Sequence, residues 1–197
     1  MKVKMTPLEE IAEIRTGIAV YGEPKVRSGV ETVPMLSVRS LGETEIDRNQ
    51  TQLVEASYRD KFSFSLKEGD VLLPARSTAI KTAITPREFE GFVIHSTLVA
   101  IRCLPALDPR LLVAYFNHPQ GMAALDEISQ SGTRQKNITV RALARLLVPV
   151  PPKQDQAQLA ELLEAANNAY NNAVQAAQKR LDLAREIVVN RMFGREK

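Results

Sequence analysis

Residues 131–163 read SGTRQKNITVRALARLLVPVPPKQDQAQLAELL, and this stretch decides how the chain is organised. It opens with a polar turn that contains two cations and two amides but no acid. Those four residues are Arg134, Gln135, Lys136 and Asn137. A short apolar run follows and ends in the PVPP of residues 149–152, and a long helix is predicted to begin just beyond these prolines. The order predicts a reader of an anionic surface that is joined to a helical spacer.

The predicted helix has a heptad pattern. From Gln154 to Phe193 there is neither proline nor glycine, and apolar residues recur at alternating steps of four and three, with one extra step of four after Ala177. The stripe consists of Leu159, Leu163, Ala166, Tyr170, Ala173, Ala177, Leu181, Ala184 and Val188. Such a stripe favours a coiled coil with a partner helix. The alternative is a helix that folds back on its own domain.

Upstream of the stretch, strand-like runs precede helix-like ones. Residues rich in Val, Ile and Thr form short runs at 33–38, 71–73, 79–84 and 92–103. Asp108-Pro109 and Pro119 are then typical of two helix starts. A further helix is predicted from Thr6 towards Gly17, with Thr6 and Glu9 forming a capping box. Strands first and helices afterwards predict an α+β globular domain at 1–150. A helical spacer region follows at 151–197, and its long coiled-coil helix is predicted from Gln154 to about Phe193.

Length and composition suit a folded domain with an appendage. The chain has 197 residues, 44% apolar residues, a net charge of +3 and a pI near 9.1. The N-terminal residues lack the apolar core of a signal peptide, and no window is apolar for long enough to span a membrane. We therefore expect a cytoplasmic protein that makes no membrane contact.

Positive charge is concentrated in two acid-free windows, residues 71–87 and 128–152. The first contains Arg76 and Lys81, and the second contains the polar turn. If the fold brings the windows together, they form a phosphate-binding footprint. Solvated faces of a basic protein would give the same composition.

Catalytic motifs are sparse. The sequence has no glycine-rich nucleotide loop, and its two histidines, His95 and His118, are not in a metal-ligand spacing. Cys103 lies in an apolar run, which favours a buried structural thiol over a nucleophile. The triplet Glu23-Pro24-Lys25 matches a nuclease pattern that is common by chance. We predict no catalytic residue and no metal site, which favours a binding role.

The chain resembles a known family, the specificity subunits of Type I restriction–modification enzymes. The resemblance covers nearly the whole length and rests on the order and spacing of several motifs. These are LEEIAEIRTG (8–17), LKEGDVLLPARST (66–78), SGTRQKNI (131–138) and LLVPVPPKQDQAQLAELL (146–163). In the last motif, glutamines Gln154 and Gln156 follow the prolines, as in the family's conserved helical region.

The resemblance implies that the globular part is a target-recognition domain for double-stranded DNA and that the long helix pairs with another such helix. It also implies that the helical region docks methyltransferase subunits, which hold S-adenosylmethionine and perform the catalysis, so that this chain needs no cofactor of its own. Family members usually carry two recognition domains and two helices, whereas this chain has one of each. It therefore resembles a half-subunit, and a homodimer with antiparallel helices would read a bipartite palindrome.

The residues expected to touch DNA come from both basic windows. Arg76, Lys81, Arg134 and Lys136 are the predicted DNA contacts, with Ser77, Gln135 and Asn137 as candidate base readers. Two other functions stay open from the sequence. One is a standalone enzyme that modifies or cleaves DNA through an unrecognised site, and the other is an assembly adaptor whose globular part binds protein.

Overall fold

Two strands of nearly unbroken apolar sequence form the centre of the fold. β5 (Val71–Pro74) reads VLLP and pairs antiparallel with β9 (Leu98–Cys103), which reads LVAIRC. Successive side chains of a strand point to opposite faces of its sheet. Val71 and Leu73 therefore enter one core, whereas Leu72 enters another. Burial on both faces explains why these strands lack the apolar–polar alternation of a half-exposed sheet.

The structure is a computed structural model that describes residues 3–20, 26–42, 46–57, 65–77, 80–129 and 136–194. It divides into two compact units, Met1–Ala157 and Gln158–Lys197. The first unit contains the sheets and cores, and the second consists of most of a long helix. The assignment of a reading role to 1–150 and a spacer role to 151–197 stays a prediction.

Short strands assemble into four sheets in the described part of the first unit. Besides β5 and β9 they are β1 (Lys4–Pro7), β2 (Ala12–Thr16), β3 (Thr32–Leu36), β4 (Gln52–Glu55), β6 (Arg76–Ser77), β7 (Ala83–Ile84), β8 (Val93–Ile94), β10 (Lys136–Asn137) and β11 (Leu147–Val150). The central sheet has the order β2-β9-β5-β7, and a second sheet has the order β4-β3-β8. The other two sheets are two-stranded antiparallel ribbons, β1–β11 and β6–β10.

Helices cover one face of the central sheet. They are α1 (Leu8–Ile11), α2 (Pro109–Asn117), α3 (Pro119–Glu127) and α4 (Val140–Ala144); a fifth helix, α5 (Lys153–Met192), follows them in the chain. Asp108 caps α2 by accepting a hydrogen bond from the backbone N–H of Arg110, and His118 caps α3. Phe116 and Leu125 of these helices are fully buried in the same core as Val71. The α+β prediction and the two helix starts are confirmed.

The predicted N-terminal helix is wrong beyond its first turn. Thr6 does not cap a helix but lies buried in β1 opposite Val148. α1 ends at Ile11, and β2 then pairs with β9 from Ala12 onwards. The apolar residues Ile11, Ala12 and Ile14 are compatible with helical and with strand periodicity, and pairing with the central sheet decides between the two.

Helix α5 spans Lys153–Met192, within one residue of the predicted limits. Seven of the nine stripe residues, from Ala166 to Val188, are exposed, whereas Leu159 and Leu163 are half-buried. Exposed apolar side chains also lie outside the predicted stripe, so the apolar surface of the helix is wider than the sequence pattern indicated. They are Leu162, Val174, Leu183, Ile187 and Val189. In the described ranges, no helix is long and apolar enough to cross a membrane.

Candidate nucleic-acid interface

The ribbon β6–β10 joins the two basic windows of the sequence. Lys136 lies opposite Ser77, and Asn137 lies opposite Arg76. The ribbon therefore brings together residues that are about sixty positions apart in the chain. The condition that the sequence left open, that the fold must bring the windows together, is met in this ribbon.

Buried neighbours hold the ribbon in place. Ala75 precedes β6 and is 6% exposed, and Ile138 follows β10 and is 2% exposed. The backbone N–H of Ile138 donates to the carbonyl oxygen of Ala75 at 2.8 Å, and the N–H of Ala75 donates to the carbonyl oxygen of Thr97. Because both apolar residues belong to the core that contains Val71, the polar residues between them sit on a fixed base.

A cleft of about 250 Å³ opens beside the ribbon. Its walls come from the end of β2, the turn before β9, the ribbon and the start of α4. The lining residues are Thr16, Ala75, Arg76, Ser96, Val99, Asn137, Ile138, Thr139 and Val140. They combine one guanidinium, one amide and three hydroxyls with apolar groups, and none of them is acidic. Such a lining favours an anionic or a hydrogen-bonding ligand.

Two polar side chains of the cleft have no hydrogen-bond or ion-pair partner among the described residues. Arg76 is exposed and Asn137 is half-buried. Among the residues that the structure describes, none forms a side-chain hydrogen bond or an ion pair with either of them. By contrast, the hydroxyl of Thr139 is already used, because it accepts a hydrogen bond from the N–H of Ala142 at 3.2 Å as the cap of α4.

None of the other predicted contacts that the structure describes is among the lining residues of the cleft. Ser77 is half-buried and Lys81 is exposed, and neither of them lines the cleft. Arg134 and Gln135 lie outside the described residues, and Lys136 is placed by its backbone register alone. The nuclease-like triplet at residues 23–25 also lies outside the described residues.

Sequence reasoning missed the hydroxyls of Thr16 and Ser96. Thr16 lies in the LEEIAEIRTG motif but outside both basic windows, and Ser96 lies in no motif or charged window of the sequence. The chain approaches itself closely beside Thr16, because a Cβ on Gly17 would overlap the carbonyl oxygens of Ile94 and His95. The glycine of the IRTG motif is thus the residue that lets β2 lie against the turn that carries Ser96.

The surroundings of Cys103 and His95 indicate structural roles rather than catalytic ones. Burial raises the pKa of the Cys103 thiol to about 12, with smaller contributions from Asp108 and Asp70. The imidazole of His95 lies 3.0 Å from the Thr97 hydroxyl and 3.3 Å from the carbonyl oxygen of Val20. Among the described residues, no group of three His, Cys, Asp or Glu side chains is placed to hold a metal ion.

Comparison with known proteins agrees with this geometry. The chain is 21% identical over 159 residues to the Type I restriction enzyme EcoKI specificity subunit of Escherichia coli (strain K12), an alignment that covers 78% of this chain and 33% of that protein. This chain thus spans about a third of the length of its curated relative.

Solved structures show the same fold. The HsdS subunit from Thermoanaerobacter tengcongensis superposes with a TM-score of 0.59 at 17% identity, covering 89% of this chain and 40% of that one. The Type I restriction–modification S subunit from M. genitalium gives a TM-score of 0.61 at 12% identity. That superposition covers 96% of this chain and 45% of the S subunit. A chain from a structure of complex assembly in the Type I restriction–modification system superposes with a TM-score of 0.60 at 18% identity. The superposition covers 96% of this chain and 43% of that one.

The family model described as the Type I restriction modification DNA specificity domain matches residues 1–179, which is most of the chain. With the α+β unit, the long C-terminal helix and the basic cleft, this match shows that the chain belongs to the family of Type I restriction–modification specificity subunits.

Proposed function

We propose that the unit Met1–Ala157 reads the sequence of double-stranded DNA, as a non-catalytic specificity subunit that recognises half of a bipartite target. The observation that carries the proposal is the β6–β10 ribbon, which joins two acid-free basic windows at one cleft. Phosphate contacts from Arg and Lys position a protein on the duplex, and contacts to base edges supply its specificity. The ribbon offers residues for both.

Further cations lie close to the ribbon in sequence. Arg141 and Arg145 are exposed on and just after α4, whose first residue lines the cleft. Among the described residues neither guanidinium is neutralised by an acid. We assign them, with Lys81, Arg134 and Lys136, to phosphate anchoring around the cleft.

Binding of a duplex over a range of salt concentrations tests this function. The full chain and the Arg134→Ala/Lys136→Ala variant are titrated against a labelled duplex pool by fluorescence anisotropy. Each lost phosphate contact reduces the magnitude of the slope of log binding constant against log salt concentration by about 0.9. We therefore expect the slope of the double variant to be smaller in magnitude by up to about 1.8. The matched control is Arg48→Ala/Lys67→Ala, which removes the same charge from exposed positions outside the cleft and outside both basic windows. An unchanged slope in the first variant removes this turn from the interface.

We further propose that the unit Gln158–Lys197 acts as a spacer that pairs with the same helix of a second copy. Support comes from the exposed apolar stripe and from the charge distribution. Residues 158–178 contain two acids and no base, whereas residues 179–194 contain four bases and two acids. An antiparallel pair places the acidic half of each helix against the basic half of the other, whereas a parallel pair places like charges together.

A symmetric dimer has a consequence for the DNA target. Two identical reading units related by a two-fold axis require two identical half-sites in inverted orientation. We therefore propose a palindromic bipartite target whose central base pairs are not read. Mapping of methylated positions in the host genome tests this, because an asymmetric motif contradicts the symmetric dimer.

Catalysis is assigned to a separate methyltransferase subunit that holds S-adenosylmethionine. The apolar surface of α5 beyond the stripe, at Leu162, Val174 and Leu183, supports contacts with more than one partner, because a paired coiled coil buries a single seam. Methylation of the target by a mixture of this chain with the methyltransferase is expected. Methylation or cleavage by the purified chain alone contradicts the proposal and favours a standalone enzyme.

A further inference from the structure

Arg76 and Asn137 are direct partners across an antiparallel ribbon. The side chains of directly opposed residues emerge on the same face of a sheet, with Cβ atoms roughly 4.5–5.5 Å apart. Both residues line the same cleft, and neither side chain has a described partner in the protein. The fold therefore presents a guanidinium and a primary amide side by side, with their hydrogen-bonding groups unused.

This pair matches the chemistry of two purines. A guanidinium donates two parallel hydrogen bonds to O6 and N7 of guanine, and an amide both accepts from N6 and donates to N7 of adenine in the major groove. The major groove admits a two-stranded ribbon. Because successive nucleotides of one strand are about 3.4 Å apart along the helix axis, two side chains that start roughly 5 Å apart reach neighbouring base pairs.

We propose that Arg76 and Asn137 form the base-reading pair of this protein, with Arg76 reading a guanine and Asn137 an adenine in the adjacent base pair. The inference rests on the proposed DNA-reading function and deepens it. It assigns the half-site a G·C pair next to an A·T pair.

The base-reading pair and the proposed phosphate anchors lie at different positions relative to the cleft. Asn137 is uncharged, half-buried and part of the cleft lining, whereas the exposed Arg141 and Arg145 lie outside that lining. The hydroxyls of Thr16 and Ser96 border the cleft and can contact the sugar–phosphate backbone on either side. The ribbon itself is fixed by buried Ala75 and Ile138, so the pair is held in place before DNA binds.

Selection from a randomised duplex pool tests the pair. The full chain is used, and the enriched sequences are compared with those enriched by Arg76→Ala and Asn137→Ala. We expect the unaltered chain to enrich adjacent G·C and A·T pairs. Arg76→Ala should lose the preference at the G·C pair alone, and Asn137→Ala should lose it at the A·T pair alone. Each loss should be roughly 5- to 150-fold against the wrong base.

Controls separate base reading from charge and from misfolding. Arg76→Lys keeps the positive charge but not the two-pronged geometry, so it should keep the salt slope and still lose the guanine preference. Arg48→Ala and Asn49→Ala remove the same residue types from exposed positions outside the cleft and should leave the enriched motif unchanged.

The outcomes distinguish this inference from the proposed function. If the unaltered chain enriches a motif and both cleft variants retain it, or weaken binding equally on every sequence, the pair does not read bases while the DNA-reading function stands. If the unaltered chain enriches no motif and binds no duplex, both the function and the base-reading pair are overturned.

Discussion

The side chain of Gln156, in the first turn of α5, accepts a hydrogen bond from the backbone N–H of Asp108 at 2.8 Å. Its amide group donates to the carbonyl oxygens of Ala106 and Pro151, each at 2.9 Å. Gln156 is 2% exposed, so one buried side chain satisfies three backbone groups of two segments. Lys153 donates to the carbonyl oxygen of Pro105 at 2.6 Å in the same region. The start of the helix is therefore fastened to the loop that precedes α2.

We expect Gln156→Leu to lower the free energy of unfolding by about 1–3 kcal/mol, because the leucine removes all three hydrogen bonds that this buried side chain makes to the backbone. Urea denaturation followed by circular dichroism measures the change. Gln154→Leu is the matched control, since Gln154 lies in the same helical turn but is exposed. Equal stability of the two variants would show that the Gln156 hydrogen bonds contribute nothing net.

The ion pair of Asp70 and Arg102 supports a second prediction. Asp70 is 1% exposed and accepts two hydrogen bonds from the Arg102 guanidinium, at 2.8 and 2.7 Å, as well as one from the N–H of Lys67. Asp70→Asn removes the buried carboxylate that accepts two hydrogen bonds from the Arg102 guanidinium and balances its charge. We expect a loss of about 3 kcal/mol, near the lower end for a broken buried pair, because Arg102 keeps some contact with water.

Asp182→Asn is the control for that substitution. Asp182 pairs with Arg185 at 3.6 Å on the surface of α5, where both side chains are more than half exposed. Exposed pairs contribute less than about 1 kcal/mol. Thermal denaturation of both variants should therefore show a large shift for Asp70→Asn and a small one for Asp182→Asn.

Local signals explain which elements the sequence predicts well. Helices α2 and α3 each begin with a capping residue followed by proline, at Asp108-Pro109 and His118-Pro119, and such signals act within one turn. Helix α5 is predicted within one residue because proline ends the preceding strand and the forty helical residues contain neither proline nor glycine. The N-terminal helix fails because the pairing of β2 with β9 is a long-range interaction that no local pattern reveals.

The candidate site divides in the same way. Charge and composition identify the two basic windows, and therefore Arg76 and Asn137. That these two residues face each other depends on the pairing of β6 with β10, which is a property of the whole fold. Thr16 and Ser96 reach the same cleft through β2 and the turn before β9, and both lie outside the two basic windows that mark the site in the sequence.

Cys103 gives a prediction on reactivity, and it is the single cysteine of the chain. Burial raises the pKa of its thiol to about 12, far above the unperturbed value of about 8.5. The thiolate is the reactive form, so iodoacetamide at pH 8 should label the folded chain much more slowly than the chain in urea. Mass spectrometry of the alkylated product measures both rates, and equal rates would contradict the buried environment.

The same shift has a consequence for stability. Because the pKa of the thiol is raised in the folded state, folding retains a proton that the unfolded chain releases above about pH 8.5. Stability from this group is complete below that pH and falls as the pH rises towards 12. Cys103→Ala should flatten the decrease in stability between pH 8.5 and 10, as measured by urea denaturation.

The stripe on α5 supports the last prediction, on the oligomeric state. Tyr170 is 58% exposed near the middle of the stripe, and in the proposed dimer it lies against the partner helix. Tyr170→Glu places a charge in that seam on both copies, so we expect the dimer to dissociate at tens of micromolar in sedimentation equilibrium. Asn171→Glu adds the same charge at the next exposed position, outside the stripe, and should leave the dimer intact.

Salt separates an antiparallel dimer from a parallel one. In the antiparallel arrangement the acidic half of one helix faces the basic half of the other, so added salt screens an attraction and should weaken the dimer. In a parallel arrangement like charges face each other, and added salt should strengthen it. A dimer of the unaltered chain that tightens between 50 and 500 mM NaCl would therefore contradict the antiparallel arrangement and, with it, the two-fold symmetric placement of the reading units that requires a palindromic target.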